Sequence, residues 1–238
     1  MKQITDNNKK INFLTDNGEL VFPNMWFDAV KPFHNGYAIA FVEDKGFNFI
    51  DDKYNILSPN QWFNYAENFC EGFAVIEILN KGYNFITTNG EYLFPNKWFD
   101  FAHSFSEGYA VIVNDNFANY IDPKGNILYE QEWFESAWDF RNGFAVVEIE
   151  DNLFNFINTK GEVLMQQGCD NVGHFDKNGL ARVYLEDKGW NYVKANGELL
   201  FPNQWLNYAD TFDNETKLAW VGIGNQDVFQ IDTNGNRQ

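Results

Sequence analysis

Three histidines, His34, His103 and His174, and two cysteines, Cys70 and Cys169, are the side chains best suited to metal or nucleophilic chemistry. None of the histidines has a partner three or four residues away, and none falls in a Cys/His cluster, so the spacing that a structural zinc site needs is missing. Two thiols this far apart cannot make a disulfide framework and read as small buried side chains. The adjacent carboxylates Asp51 and Asp52 fall near a turn, where solvated caps explain them. GIGNQD, Gly222 to Asp227, is the one glycine-rich loop, and it lacks the third glycine and the following helix of a phosphate cradle. There is no Gly-x-Ser-x-Gly and no serine beside a plausible base. The expectation is a protein that is not an enzyme, with no metal and no cofactor.

The elements that would position any site announce themselves through repetition. Trp26, Trp62 and Trp98 are spaced by 36 and 36 residues, Trp133 follows at 35, and Trp205 lies 72 further on. A period of about 20 to 50 residues means a repeat architecture. Counted from a shared Asn-aromatic start, repeats begin at Asn12, Asn48, Asn84, Asn119, Asn155 and Asn191, with a partial seventh from Gln230, so one β-repeat domain is expected over 1–238. In the third repeat NFIT and EYLF flank a turn, AVIV makes a third strand and FDFAHSF a fourth; none shows a helical period.

Gly18, Gly90, Gly125, Gly161 and Gly197 stand at one offset in that turn, which suits a type I turn closed by a G1 bulge; repeat two has Tyr54 there. A second mark is Phe-x-x-Gly-aromatic-Ala, as in Phe105, Gly108, Tyr109 and Ala110, whose fixed alanine implies a crowded approach of neighbouring sheets. The recurrent FPNxWF stretch reads as an inter-repeat connector, with Trp26, Trp62, Trp98, Trp133 and Trp205 as structural seam residues. The predicted fold is all-β: six antiparallel β-meander repeats in a propeller-like ring, with an open β-solenoid or superhelix as the alternative. A ring would use the N-terminal strands to complete the last blade, yet INFL and VFQID would then compete for one slot.

NYIDPKGNILYEQEWFESAWDFRNGFAVVE, Asn119 to Glu148, resembles the WG-repeat family of bacterial proteins. The pattern is aromatic-Ile-Asp, a turn glycine, a strand, an aromatic, then Phe-x-x-Gly-x-Ala. The resemblance covers nearly the full length. It departs at Asn48, Asn84 and Asn119, where the family's signature glycine would precede the aromatic, which makes this a divergent member. It implies a β-repeat scaffold used for interaction, with no catalytic constellation to transfer.

Function in a repeat protein is sought where repetition fails. Trp138, Arg141, His174, Arg182 and Trp220 break the pattern in repeats four to six, and Cys169 falls in the place of the seam tryptophan. Arginine occurs only three times, and Trp with Arg is a common pairing at binding hot spots. Drift of terminal repeats that cap the array is the competing reading.

A formal charge of -17 disfavours nucleic acid and anionic lipid; it would attract a basic protein, or keep a chain with 18% aromatic residues soluble. No apolar run approaches the roughly 18 residues of a spanning helix. MKQITDNNKK lacks the apolar stretch of a secretory signal, so a cytoplasmic protein without membrane contact is expected. The expected function is a non-enzymatic acidic scaffold for protein–protein interaction, in the manner of an inhibitor or immunity protein toward a basic partner. The alternative is a lectin that binds glycan through repeated aromatic sites.

Overall fold

The computed structural model describes residues 1–224 and 227–238, so Asn225 and Gln226 of the GIGNQD loop lie outside the described residues. The chain divides into two compact units, Met1–Phe105 and Ser106–Gln238. The N-terminal unit contains β1 (Lys2–Thr5), β2 (Ile11–Leu14), β3 (Ala29–Val30), β4 (Tyr37–Val42), β5 (Gly46–Asp51), β6 (Tyr65–Ala66), β7 (Phe73–Ile78), β8 (Gly82–Thr87) and β9 (Phe101–Ala102). The C-terminal unit contains β10 (Ala110–Asn114), β11 (Phe117–Ile121), β12 (Ser136–Ala137), β13 (Phe144–Glu150), β14 (Leu153–Asn158), β15 (Asn171–Val172), β16 (Leu180–Leu185), β17 (Gly189–Lys194), β18 (Tyr208–Ala209), β19 (Ala219–Ile223) and β20 (Asp227–Ile231). The expected all-β architecture of repeated small antiparallel sheets is borne out.

In the N-terminal unit β1 pairs with β2, and the triplets β3-β4-β5 and β6-β7-β8 form small antiparallel sheets. In the C-terminal unit β10 pairs with β11, followed by the triplets β12-β13-β14, β15-β16-β17 and β18-β19-β20. Each three-stranded sheet joins a two-residue strand and a long central strand to the first strand of the next repeat, so a frame counted from the asparagines cuts through these sheets. INFL and VFQID each have their own partner, β1 and β19. The expected strand EYLF is a single bridge, Ile86 to Tyr92, and FDFAHSF yields only Phe101–Ala102. These segments turn too soon to extend, because the chain bends at the proline and the asparagine that follow or precede them.

That asparagine governs the bend. Asn84 is fully buried, and its Nδ2 donates to the carbonyls of Phe94 (2.8 Å) and Lys97 (2.9 Å). Its Oδ1 accepts from the amides of Phe85 (2.7 Å) and Phe94 (3.3 Å). Phe94-Pro95-Asn96-Lys97 is thereby stapled as a β-turn, closed by Lys97 N–H to the Phe94 carbonyl, with proline at its second position. Asn12, Asn48 and Asn191 repeat the double donation, to Phe22 and Met25, to Ser58 and Gln61, and to Phe201 and Gln204. Asn119 and Asn155, in repeats without the proline, donate to Tyr129 and Met165.

The rest of the heptad then has set tasks. The residue after the tryptophan is the buried one: Phe27, Phe63, Phe99, Phe134 and Leu206 lie in the core, while the five tryptophans are half-buried. Lys45, Lys81 and Lys188 lie over the rings of Trp62, Trp98 and Trp205 at 5.5, 5.4 and 5.7 Å. The next residue caps the hairpin of the following sheet: Asp28 accepts from the Glu43 amide, Asn64 from Leu79, and Asn207 from Gly224. The ring that packs on the preceding sheet is the phenylalanine of Phe-x-x-Gly. Phe69 packs on Tyr37 and Phe49, and Phe105 on Phe73 and Phe85. In the C-terminal unit Phe140 packs on Tyr109 and Tyr120, Phe175 on Phe144 and Phe156, and Phe212 on Tyr192.

Glycine is demanded where backbones meet. A Cβ on Gly82, at φ +99°, would lie 2.3 Å from the Phe99 carbonyl oxygen, and one on Gly90, at φ +79°, would lie 2.6 Å from that of Leu57 in the preceding repeat. The expected turn glycine therefore also lets one repeat seat on the last. Tyr54 takes that place at φ +66°, with its ring 4.8 Å from Phe13. The fixed alanines, Ala38, Ala74, Ala110, Ala145, Ala181 and Ala219, are all buried, as their crowding predicts.

Asn84→Ala strands the amides of Phe85 and Phe94 and removes the donor to the Phe94 and Lys97 carbonyls, and is expected to cost about 2–4 kcal/mol in urea denaturation. Asn89→Ala, on the exposed turn, is the control and is expected to stay within about 0.5 kcal/mol; equal effects would remove the staple from its central place.

Candidate functional site

The loop between the short strand and the central strand of each repeat carries side chains that do not repeat. Its position is fixed by one hydrogen bond: Lys31, Glu67, Trp138, Gly173 and Asp210 each donate their amide to the carbonyl of Ile39, Val75, Val146, Arg182 and Trp220 respectively. The scaffold holds the backbone there while leaving the side chain free to vary.

In the N-terminal unit this face holds a cleft of about 290 Å3 with polar side chains, Lys31, Glu67, Asn68 and Ser104, in its lining. The Glu67 carboxylate accepts from the Tyr65 hydroxyl (2.8 Å) and from Ser104 Oγ (2.7 Å). Burial and then the Glu67 contact push the Tyr65 phenol up to about 12. In the C-terminal unit the equivalent face opens into a cleft of about 230 Å3 lined by Trp138, Val146, Phe154, Asn171, Val172 and His174. Trp138 is 38% exposed and meets Phe154 edge-on at 5.9 Å. Behind it Tyr120, which stands where repeats one, two, three and five place phenylalanine and repeat six places Tyr192, donates its hydroxyl to the Trp138 carbonyl at 2.8 Å. Burial raises that phenol well above its ordinary value, which keeps it a donor.

His174 is exposed as a residue, yet desolvation at the cleft and then the positive charge of Arg141 lower its imidazole pKa, with Asp139 opposing. Near neutral pH the ring is therefore uncharged, with one donor and one acceptor nitrogen. The cleft can stack a planar or apolar group on Trp138 and hydrogen-bond it through His174 and Asn171.

Two of the five pattern-breaking residues, Trp138 and His174, thus line the cleft, and the charge of a third, Arg141, acts on the His174 ring. Arg182 and Trp220 do not line the cleft. Both occupy the mid-strand place held by the buried Ile39, Val75, Val111 and Val146. Arg182 donates Nη1 to the Ala209 carbonyl at 3.0 Å, lies over Trp190 at 5.3 Å and leaves a buried Nε without a hydrogen-bond partner. Trp220 is 49% exposed. Phe154 and Asn171 escaped sequence reasoning, and the row of Asn171, with Ala29, Tyr65, Phe101, Ser136 and Tyr208 in the other repeats, is too variable to single it out.

The assignment of Cys169 to the tryptophan position is corrected. Its bridge to Phe154 matches that of Phe99 to Tyr83 and of Leu206 to Trp190, so it fills the place of the buried residue after the tryptophan. The connector of repeat five is one residue shorter, and Gly168 stands at the tryptophan position. Burial, with Asp170 nearby, pushes the Cys169 thiol up to about 11, so it packs as a small apolar group. Among the described residues no group of three or more His, Cys, Asp or Glu could hold a metal ion.

Stapled turns, paired small sheets and an interchangeable loop side chain define an all-β repeat scaffold. Residues 85–116, 120–152 and 156–188 each match the WG containing repeat, which supports a WG-repeat protein over three consecutive repeats. No curated protein matches the chain. Among solved structures it is similar to the computationally designed Ika8 protein, at 12% identity over 99% of this chain and 81% of that one, with a TM-score of 0.43. BamB from Moraxella catarrhalis shares 11% identity over 99% of this chain and 83% of its own, at 0.40. Hsv2 of Kluyvelomyces marxianus shares 11% over 92% and 87%, at 0.45.

An NMR titration of the His174 ring is expected to show a midpoint below the ordinary imidazole value of about 6.5. Arg141→Ala should raise it and Asp139→Asn lower it. Because the folded state resists the proton, stability is full above about pH 6.5 and falls as the pH drops below it. A midpoint at or above the ordinary value would remove His174 from a desolvated cleft.

Proposed function

We propose that this chain is a non-catalytic interaction module that docks a basic protein partner on its C-terminal unit, in the manner of an inhibitor or immunity protein of the cytoplasm. The observation that carries the reading is the Trp138–His174 cleft, an exposed aromatic wall built where the repeat pattern fails. Charge supports it. The C-terminal unit has 9 basic against 21 acidic residues, a formal charge of -12, whereas the N-terminal unit has 8 against 13, a charge of -5. An uneven field of this kind steers a basic partner toward one part of the molecule.

A glycan is the second reading, favoured by the open face of Trp138 beside the Asn171 amide and the neutral His174. The repeated tryptophans offer it less, since Trp62, Trp98 and Trp205 are half-buried with a lysine over each ring.

The test is capture of partners from the native host lysate at about 50 and 300 mM salt, concentrations that differ roughly twofold in screening length. A basic protein captured at low salt and weakened at high salt is expected. Trp138→Ala should weaken it about tenfold, while Trp220→Ala, outside the cleft, serves as the control. Capture that ignores both salt and Trp138, or a positive glycan array with no protein captured, would overturn the reading.

A further inference from the structure

Successive sheets pack face to face by one rule. In the N-terminal unit Ile39 and Phe49, a cross-strand pair on one face of β3-β4-β5, share a core cluster with Ala74, Ile76 and Ile86 of β6-β7-β8. In the C-terminal unit the pair Val146 and Phe156 of β12-β13-β14 meets Ala181, Val183 and Val193 of β15-β16-β17 in the same way. A forward face, with a β-branched residue beside an aromatic, thus seats on a backward face of alanine and aliphatic residues.

A forward face and a backward face stand open to solvent. On β18-β19-β20 the forward face carries Tyr208, Gly222 and Val228 in one row and Trp220 and Gln230 in the next. Tyr208, Trp220 and Val228 are 48%, 49% and 56% exposed. On β1-β2 the forward face holds the buried Phe13, which joins the core of the next sheet, and the backward face holds Lys2, Ile4 and Leu14. Lys2 is exposed, and Ile4 and Leu14 are half-buried. A face that a repeat array leaves to water is ordinarily polar, so three large apolar side chains on one sheet face mark an interaction surface. We propose that the Tyr208, Trp220 and Val228 face binds the Lys2, Ile4 and Leu14 face of a second copy of this chain, so that copies associate head to tail.

The residues that depart from the rule on these two faces suit each other. Inside the units the alanine shares a cluster with the aromatic of the sheet before it, as Ala74 does with Phe49, Ala181 with Phe156 and Ala219 with Tyr192. By register Lys2 takes the place of the alanine and Gln230 the place of the aromatic. A lysine stem in the alanine's place is crowded by a ring, and it fits against the slimmer glutamine. Its ammonium offers the exposed indole of Trp220 the pairing that Lys45, Lys81 and Lys188 make over Trp62, Trp98 and Trp205. Charge favours this contact over one in which a face meets its own copy. Residues 1–10 have 3 basic against 1 acidic, a formal charge of +2, whereas residues 208–231 have 1 basic against 4 acidic, a formal charge of -3.

The test is sedimentation velocity over a concentration series at low salt. The mass is expected to rise with concentration and to fall again as salt is added. Trp220→Glu and Ile4→Glu, one on each face, should each stay monomeric. Their equimolar mixture should form a dimer and nothing larger, because each variant keeps the face that the other has lost, and that dimer also shows that both variants fold. Lys2→Ala should weaken association about threefold. A wild-type chain that stays monomeric throughout, Ile4→Glu that dimerises alone, or a mixture that stays monomeric would overturn the inference. Self-association and partner docking are separable: Trp138→Ala is expected to lose capture and keep self-association, and Trp220→Glu the reverse.

Discussion

A buried side-chain amide that must satisfy four hydrogen-bonding positions is the constraint on which the fold rests. In repeats one, two, three and six the asparagine holds both ends of the proline turn while sitting within the first strand, so strand, turn and buried phenylalanine are fixed together. An amide in this setting is costly unless every bond is made, and the same cost makes a misplaced turn unfavourable. This is why the connector varies little: proline begins the turn, the next residues clear the amide, and the aromatic pair lands with one ring inside and one at the surface.

Within that frame the repeats are joined by contacts of fixed direction. Each Phe-x-x-Gly phenylalanine packs on the sheet before it, and the turn glycine lets backbones close to a distance that a Cβ would forbid. The Glu107 carboxylate accepts from the amides of Asn142 and Gly143 in the next repeat (2.8 and 2.7 Å), a polar version of the same link. With these interactions assigned to backbone and core, side chains such as Trp138 and Arg182 can change with little cost to the scaffold. That freedom is what a binding surface draws on.

Much of the architecture was legible in the sequence. The tryptophan spacing gave the period, glycine at a constant offset gave the G1-bulge turn, and the fixed alanine marked the crowded strand. The seam was harder to read, because tryptophan is the most conspicuous residue of the connector, whereas burial falls on the plainer phenylalanine after it and on the distant phenylalanine of Phe-x-x-Gly. The asparagine at each repeat start read as a departure from a family glycine; in Asn84 three of its four bonds reach 10 or 13 residues along the chain, a range that local pattern does not reveal. For the candidate site, the failure of repetition found Trp138 and His174, together with Arg141, whose charge acts on the His174 ring. It could not separate them from Arg182 and Trp220, since which variable side chains share a cleft depends on packing between sheets. The deletion in repeat five misled for a simpler reason: a period counted in residues assigned Cys169 to the wrong slot.

The one-way insertion of rings also gives the molecule a polarity in time. Within each unit a sheet is closed by a ring that belongs to the sequence after it, as Phe105 closes against Phe85 and Phe175 against Phe156. During synthesis from the N-terminus, every newly made sheet waits for the segment that follows it before its core is sealed. The nascent chain thus carries one unfinished, aromatic-lined edge that advances with elongation, and a pause in translation would leave that edge exposed at a defined repeat.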